Sequence, residues 1–327
     1  PNFGGRSGFM GRFNGVIEGY FENKKMHPNI KGIGATPESI GSVPVLYDIL
    51  FELPWHETKP DAKEWMKNYT ISRYGVESTL AQEAWELLRM SALNCETALQ
   101  GPHEAVTCAR PSLNVDRVSS WGGTEIFYDA KDVAEAANKL LEADLEGENY
   151  YYDLVDVWRQ AMTDKAYYLL KEINDAHQNS DSLTFIKKRN EFLKIINDID
   201  RLLNTNKHFM LGTWTETARA IADEAEGTTE SDKDWLELNN ARTLITTWGD
   251  EVNANQGGLR DYSYRQWGGM MKDFYLPRWE YFFNNNMTSP PEGWFEKERK
   301  WALDKNLRYS DKPQGDTKET IRFIIES

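Results

Sequence analysis

An apolar stripe at helical spacing is the sequence feature that most constrains the fold of this chain. Between residues 151 and 173, apolar side chains recur every three or four positions. They are Tyr151, Leu154, Val155, Trp158, Ala161, Met162, Ala166, Leu169 and Ile173. This spacing places them on one face of a single helix, because an α-helix has about 3.6 residues per turn. The sequence therefore predicts a long helix here, with one side available for burial.

Helical patterns also fill most of the chain around this stripe. Asp61 can cap a helix that ends at Gly75, because aspartate accepts a backbone N–H at a helix start and glycine tolerates the left-handed turn at its end. Further helical patterns cover residues 81–99, 182–204, 212–226, 231–247, 261–284 and 317–325. No repeat of fixed period connects them, which argues against a regular solenoid. The sequence predicts an irregular α-helical bundle over residues 59–327.

The first 58 residues have a different pattern, in which glycine-rich turns alternate with short apolar runs. We predict a helix over residues 9–21, a strand over 30–35 and a helix over 39–52. These are two βα units, whereas a (β/α)8 barrel needs eight. The other strands must come from elsewhere, or these residues pack irregularly. The predicted fold class is mainly α: a helical bundle preceded by two βα units of an incomplete barrel, with a joint near residues 55–60.

Charge and composition exclude several kinds of partner. The chain has a net charge of -14 and a pI near 5.0. Binding to nucleic acid or to an anionic membrane needs a basic face, so neither is expected as a partner. No apolar run approaches the length of a membrane span. Histidine and cysteine do not recur at ligand spacing, so we predict no metal site and no cofactor.

Processing and compartment are not revealed by the first residues. The stretch that begins at Pro1 has neither a signal-peptide pattern nor an initiator methionine, so we expect a fragment or a processed chain. Cys95 and Cys108 could form one disulfide in an oxidising compartment, and two buried, unbridged thiols are the alternative. Asn68 and Asn286 begin glycosylation sequons that matter only in a eukaryotic secretory route.

Glu38 is the first candidate catalytic residue. It follows the predicted strand, which Pro37 stops because proline offers no N–H to a sheet. In an α/β barrel, this end of a strand faces the active site. Ser39 can cap the helix that follows. The alternative is that Glu38 is simply a first-turn acid stabilised by the helix dipole.

An aromatic and polar loop is the second candidate site. It runs from Trp248 to Gly258 and is followed by Tyr262. Aromatic faces with interleaved amides and carboxylates suit a sugar, whose C–H groups stack on rings while its hydroxyls need hydrogen-bond partners. Trp248 could instead be a core anchor at a helix end, and Tyr262 could be a packing residue. Arg278, beside Trp279, could form an ion pair between helices or stack on its neighbour.

Short motifs in a fixed order connect this sequence with a known family. They are Asn2-Phe-Gly-Gly5, Gly34-Ala-Thr-Pro-Glu-Ser-Ile40, Tyr47 with Glu52-Leu-Pro-Trp55, Arg73-Tyr-Gly-Val76, Arg110-Pro-Ser-Leu113, Tyr152-Asp-Leu-Val-Asp156, Leu211-Gly-Thr-Trp214 with Ala218-Arg-Ala220, Thr247-Trp-Gly249, Asp261-Tyr262, Tyr275-Leu-Pro-Arg-Trp279 and Gly315-Asp-Thr317. In this order the chain resembles the α-N-acetylglucosaminidases of glycoside hydrolase family 89 over essentially its whole length. The resemblance implies that residues 1–58 are the last two βα units of the catalytic barrel and residues 59–327 the all-α C-terminal domain.

The resemblance also implies roles for individual residues. Glu38 matches the catalytic nucleophile of the family. Tyr47 and Trp248 match aromatic residues that line its sugar pocket, Tyr262 matches a tyrosine beside that pocket, and Asn2 lies at the end of the preceding barrel strand. The residues with an implied supporting role are Trp214, Arg278 and Trp279.

The function implied by the resemblance is removal of terminal α-linked N-acetylglucosamine from a glycan by an exo-acting, metal-free retaining hydrolase. Such a mechanism needs two carboxyl groups. The family's acid/base glutamate has no match among these residues, so we expect this chain to be inactive without the missing N-terminal part. The family occurs in lysosomes and in secreted or envelope locations in bacteria. The alternative function is a non-catalytic helical carbohydrate-binding or interaction module.

Overall fold

The computed structural model describes residues 7–37, 43–96, 104–118, 123–246, 250–252, 264–288 and 293–327. Twelve α-helices are found there: α1 Phe13–Met26, α2 Pro44–Glu52, α3 Ala62–Tyr74, α4 Thr79–Met90, α5 Ala130–Ala143, α6 Glu148–Gln178, α7 Ser182–Leu203, α8 Leu211–Ala222, α9 Glu230–Trp235, α10 Leu276–Asn284, α11 Trp294–Ala302 and α12 Thr317–Glu326. Two stretches are π-helical, Leu236–Arg242 and Met271–Tyr275. Short 3-10 turns cover Leu53–Trp55, Val106–Cys108 and Lys207–Phe209. The predicted mainly helical fold is confirmed.

The chain divides into two compact units. The first contains residues 1–103 and 125–161, and the second contains residues 104–124 and 162–327. The predicted stripe lies on α6, which has 31 residues and is the longest of the described helices. The division between the units falls within α6, after Ala161.

The core of the first unit is built on α3, α4 and α5. Asp61 caps α3 by accepting the Glu64 N–H at 2.8 Å, and Gly75 ends it with a φ of 70°, as the sequence predicts. Trp65 stacks on Tyr69, with ring centroids 5.3 Å apart, and Tyr69 meets the edge of another buried ring on α4. These side chains give the unit an apolar interior in which aromatic pairs add to the area burial.

The core of the second unit is aromatic where α7 meets α10. Phe192 contacts Trp279 edge-on at 4.7 Å between centroids, and Phe283 lies beside both rings. Trp279 is fully buried. Large buried rings of this kind supply much of the hydrophobic stabilisation of a domain, because each removes a large apolar area from water.

The predicted strand over residues 30–35 is wrong. Residues 30–37 have no assigned secondary structure, and most of them are exposed. A strand exists only where its N–H and C=O groups pair with a neighbour, and no described residue forms a ladder with this segment. No β-strand is found anywhere in the described parts of the chain; the structure has isolated bridges instead.

The start of α1 is also displaced from its predicted position, from residue 9 to Phe13. The backbone just before the helix is held by another segment, because Cys95 donates its N–H to the Gly11 carbonyl at 2.6 Å and Phe13 donates to the Leu93 carbonyl at 3.0 Å. A Cβ atom at Gly11 would lie 2.7 Å from the Leu93 carbonyl oxygen. Glycine permits this close approach, and the helix begins only after it.

Several smaller expectations have structural outcomes. Cys95 and Cys108 are both buried and are not joined in a disulfide. Asn68 and Asn286 are exposed. Among the described helices none is long and apolar enough to cross a membrane, and the described histidine, cysteine, aspartate and glutamate side chains form no cluster suited to a metal ion.

Candidate active site

The candidate site residues are only partly covered by the structure. Four of them lie outside the described residues, so their predicted roles stay predictions: Asn2, Glu38, Trp248 and Tyr262. The other four are described, Tyr47 in the first unit and Trp214, Arg278 and Trp279 in the second.

Tyr47 lies on α2 at one wall of an open cleft in the first unit. The cleft has a volume of about 770 Å³ and lies between α2 and α3. Pro44 at the first turn of α2 sets the start of this helix. Burial raises the pKa of Tyr47, so its hydroxyl is neutral at ordinary pH and is a hydrogen-bond donor.

Carboxylate, imidazole and aromatic groups surround this cleft. The His56 ring donates its Nε2–H to Glu52 Oε1, 2.8 Å away. Partial burial raises the pKa of Asp48, the nearby charge of Arg73 lowers it and Glu52 raises it. Trp65 adds an apolar ring surface. Rings and charged acceptors in one open cleft are the combination that binds sugars, since each sugar face needs an apolar surface and each hydroxyl a polar partner.

Arg73, on α3, is another residue that lines the cleft. Its guanidinium donates two hydrogen bonds to Asp153 on α6, at 2.5 and 2.8 Å, and lies over the Tyr69 ring. Tyr74 donates its hydroxyl to the same carboxylate at 3.0 Å. This bidentate pairing fixes the guanidinium plane, so Arg73 lines the cleft as one member of a nearly buried ion pair. Arg73 begins one of the family motifs quoted above. The sequence analysis did not predict that it belongs to the site.

Trp214 lies on α8 in the second unit and contacts two other segments. Its indole N–H donates to the Ala241 carbonyl at 3.0 Å, and its ring lies 5.8 Å from that of Trp267. The guanidinium of Arg265 lies over the other indole at 5.1 Å. Trp214 is 39% exposed. It therefore links the π-helical stretch before the Trp248 loop with the segment after that loop.

Arg278 and Trp279 on α10 are buried, and both donate hydrogen bonds to the backbone of the 3-10 turn Val106–Cys108 in the same unit. Arg278 donates to Glu298 at 2.7 Å and to the Cys108 carbonyl at 2.5 Å, while the Trp279 indole N–H donates to the Thr107 carbonyl at 3.1 Å. The ion pair considered from the sequence is therefore formed. These contacts suit a role in supporting the fold around a pocket, and direct contact with a ligand has no support in this geometry.

The two π-helical stretches lie on either side of the Trp248 loop in sequence. One covers Leu236–Arg242 and the other Met271–Tyr275. The sequence predicted continuous α-helices at both places. A π turn inserts one residue into the hydrogen-bond pattern, and such insertions are frequent at functional sites.

Comparison with known proteins covers both parts of the chain. Residues 65–327 match the family described as the α-N-acetylglucosaminidase (NAGLU) C-terminal domain. Residues 1–57 match the family described as the α-N-acetylglucosaminidase tim-barrel domain.

Individual relatives agree with the family matches. The human α-N-acetylglucosaminidase is 30% identical over 99% of this chain, which spans 44% of that protein. A family 89 glycoside hydrolase from Clostridium perfringens, solved in complex with PUGNAc, has a TM-score of 0.91 and 29% identity over 100% of this chain and 38% of its own. A variant from the same organism, with two glutamates changed to glutamine and its substrate GlcNAc-α-1,4-galactose bound, matches with the same scores. The chain thus spans less than half the length of these relatives.

Proposed function

Because this chain belongs to the α-N-acetylglucosaminidase family, glycoside hydrolase family 89, we propose that it is the C-terminal part of an exo-acting hydrolase that removes terminal α-linked N-acetylglucosamine. The observation that carries this proposal is the match over the whole chain to both domains of the family. The bacterial relative bound to GlcNAc-α-1,4-galactose supports a glycan of this kind as the substrate class.

The proposed mechanism uses two carboxyl groups and retains the anomeric configuration. The Glu38 carboxylate attacks the anomeric carbon, while the second group, as a carboxylic acid, gives its proton to the leaving oxygen and the glycosidic bond breaks. That group, now ionised, then takes a proton from water, whose oxygen displaces Glu38 and releases the sugar in its α form. A relative that holds its substrate when two glutamates are changed to glutamine supports a mechanism with two such residues.

The remaining candidate residues have supporting roles in this proposal. Tyr47, Trp248, Tyr262 and Asn2 contact or adjoin the sugar. For Tyr47, the support is its position on a cleft that combines rings with charged groups.

The proposed enzyme needs a partner segment. In this proposal the second carboxyl group belongs to a part of the protein that precedes these residues. The support is that the relatives are longer, since the chain spans only 44% of the human one and 38% of the bacterial one. The barrel would then end near residue 58 and the helical domain would follow. On this proposal residues 1–327 have no hydrolase activity by themselves.

The decisive experiment measures nitrophenol release from p-nitrophenyl α-N-acetylglucosaminide by the full-length protein and its Glu38→Gln variant. We expect a loss of at least about a thousandfold in the variant, because an amide cannot attack the anomeric carbon. Glu22→Gln is the matched control, since Glu22 is an exposed side chain on α1, and it should keep full activity. Equal activity in all three proteins would show that Glu38 is not the nucleophile. No activity in any of them would favour a non-catalytic carbohydrate-binding module.

A further inference from the structure

The outer side of α2 carries two large rings that face solvent. Trp55 ends the 3-10 turn that continues α2, and it is 86% exposed, the highest value for a large apolar residue in the described part of the chain. Phe51, four residues earlier, is 49% exposed. Residues four apart are neighbours on a helix surface. Phe51 and Trp55 therefore form one exposed surface, which we call the α2 aromatic face.

The opposite side of α2 is already packed. Leu46 is 2% exposed, and Ile49 and Leu53 are fully buried. A helix at a protein surface is normally apolar on one side only, whereas a helix that is apolar all round is buried. Asp48 and Glu52 lie on the outer side with the rings. The pattern of α2 thus calls for a second covering surface, apolar opposite the rings and with hydrogen-bond donors opposite the carboxylates.

Exposure alone does not make a docking surface. Leu183 on α7 is 83% exposed, and a single exposed side chain of this kind needs no partner. The α2 aromatic face differs because it joins two rings on one side of a helix. Aromatic residues are enriched in the buried centres of protein interfaces, and tryptophan is prominent among the residues that carry most of the binding energy.

The place of α2 in the family indicates what covers this face. Residues 1–57 match the tim-barrel domain of the family, and α2 with its 3-10 turn lies within that range. An α/β barrel typically has about 250 residues, with a closed ring of eight strands and eight helices. Most of such a barrel is therefore outside these residues, in agreement with the 44% and 38% of the two relatives that the chain spans.

We propose that the α2 aromatic face is the docking surface for the barrel portion that precedes residue 1 in the whole protein, with Trp55 as its anchor. Phe51 also lines the open cleft beside Tyr47. The docked portion therefore borders that cleft and supplies a further wall to it. The inference rests on membership of the family and does not depend on the proposed reaction.

Hydroxyl-radical footprinting of the unchanged full-length protein, read by mass spectrometry, tests the docking. The oxidation rate of each tryptophan is divided by its rate in a synthetic peptide of the same local sequence. We expect Trp55 to be protected at least about fivefold, like the buried Trp85 on α4, because rings at the centre of an interface are removed from water. Trp235 on α9, which is 58% exposed, is the matched control and should be protected less. Protection of Trp55 below about twofold would overturn the proposal.

Dilution separates the barrel portion from a second copy of the protein. A contact within one chain persists on about tenfold dilution, whereas a contact between copies weakens by mass action. Protection of Trp55 that disappears on dilution would therefore overturn the proposal.

A pair of variants of the full-length protein gives an independent measurement. Trp55→Ala should lower the melting temperature by about 5 °C and Trp235→Ala by less than about 1 °C, because only the first substitution opens a gap in a packed contact. Equal shifts in the two variants would contradict the docking surface. Neither measurement needs turnover, so a protein that protects Trp55 but has no hydrolase activity would contradict the proposed function and support this inference.

Discussion

Two buried carboxylates, one in each unit, pair with arginine in different ways. Asp153 in the first unit accepts hydrogen bonds from one arginine, Arg73, whereas Glu298 in the second accepts from two, Arg278 at 2.7 Å and Arg110 at 3.0 Å. Burial raises the pKa of Asp153, and its single arginine does not reverse the shift. Burial also acts to raise the pKa of Glu298, but the two arginines bring it below its ordinary value. The second arginine thus helps to lower the pKa of Glu298, whereas the nearby charge of Asp156 adds to the raised pKa of Asp153.

The surroundings of the two clusters differ as well. Arg73 forms part of the wall of the open cleft that Tyr47 also lines. Arg278 and Glu298 are 4% and 3% exposed, and they hold the backbone of the second unit together. The comparison teaches that an arginine and carboxylate pair can line an open cleft or can brace the interior of a unit, where brace means the buried cluster of Arg110, Arg278 and Glu298. Burial and partners decide between these roles, and residue type alone does not.

The largest expected effect on stability is at Glu298, the buried carboxylate that pairs with two arginines. Glu298→Ala leaves two buried guanidinium groups without their carboxylate, so we expect the free energy of unfolding to fall by about 3–5 kcal/mol. Urea denaturation followed by circular dichroism measures this change. Glu296→Ala, at an exposed position on the same helix, should change stability by less than about 0.5 kcal/mol. Similar losses in both variants would contradict the assignment of Glu298 as a brace.

The opposite pKa shifts predict opposite pH dependences. The raised pKa of Asp153 means that the folded state holds a proton the unfolded state releases, so its contribution to stability is lost as pH rises through the raised value. The lowered pKa of Glu298 gives a contribution that is present above the ordinary value and is lost as pH falls. Melting temperatures between pH 3 and 7 test this. Relative to wild type, the loss of melting temperature in Asp153→Asn should be larger at low pH than near neutral pH, and the loss in Glu298→Gln should be larger near neutral pH than at low pH. The same pH trend in both variants would refute the comparison.

Much of the fold could be predicted from periodicity. The apolar stripe located α6, and the Asp61 and Gly75 signals located both ends of α3. Helix α5 was missed although Val133, Ala136, Ala137 and Leu140 lie at helical spacing and Asp129 caps it, so that signal was present. The π-helical stretches Leu236–Arg242 and Met271–Tyr275 were not predicted, because residue spacing does not show where one extra residue is inserted into the helical hydrogen-bond pattern.

The site was less predictable than the fold. The resemblance named Arg278 and Trp279, but sequence reasoning could not tell whether they reach a ligand, because their partners at residues 107 and 108 are about 170 positions away. The contribution of Trp65 and Arg73 to the cleft with Tyr47 was not predicted for a similar reason. Their approach depends on how α2 and α3 pack, and local spacing carries no information on that contact.

The smallest expected effect is at the cleft itself. The Tyr47 hydroxyl is itself buried, and Tyr47→Phe removes it from a residue that, in the proposed function, lines the sugar site. We therefore expect KM of the full-length enzyme to rise about threefold, in line with the net value of one hydrogen bond. The ring stays in place, and the melting temperature should change little. Tyr168→Phe, at an exposed position on α6, is the control and should leave KM unaltered. If Tyr47→Phe also leaves KM unaltered, the cleft beside Tyr47 does not bind the sugar. The cleft would then be reassigned as a surface that packs against another part of the protein.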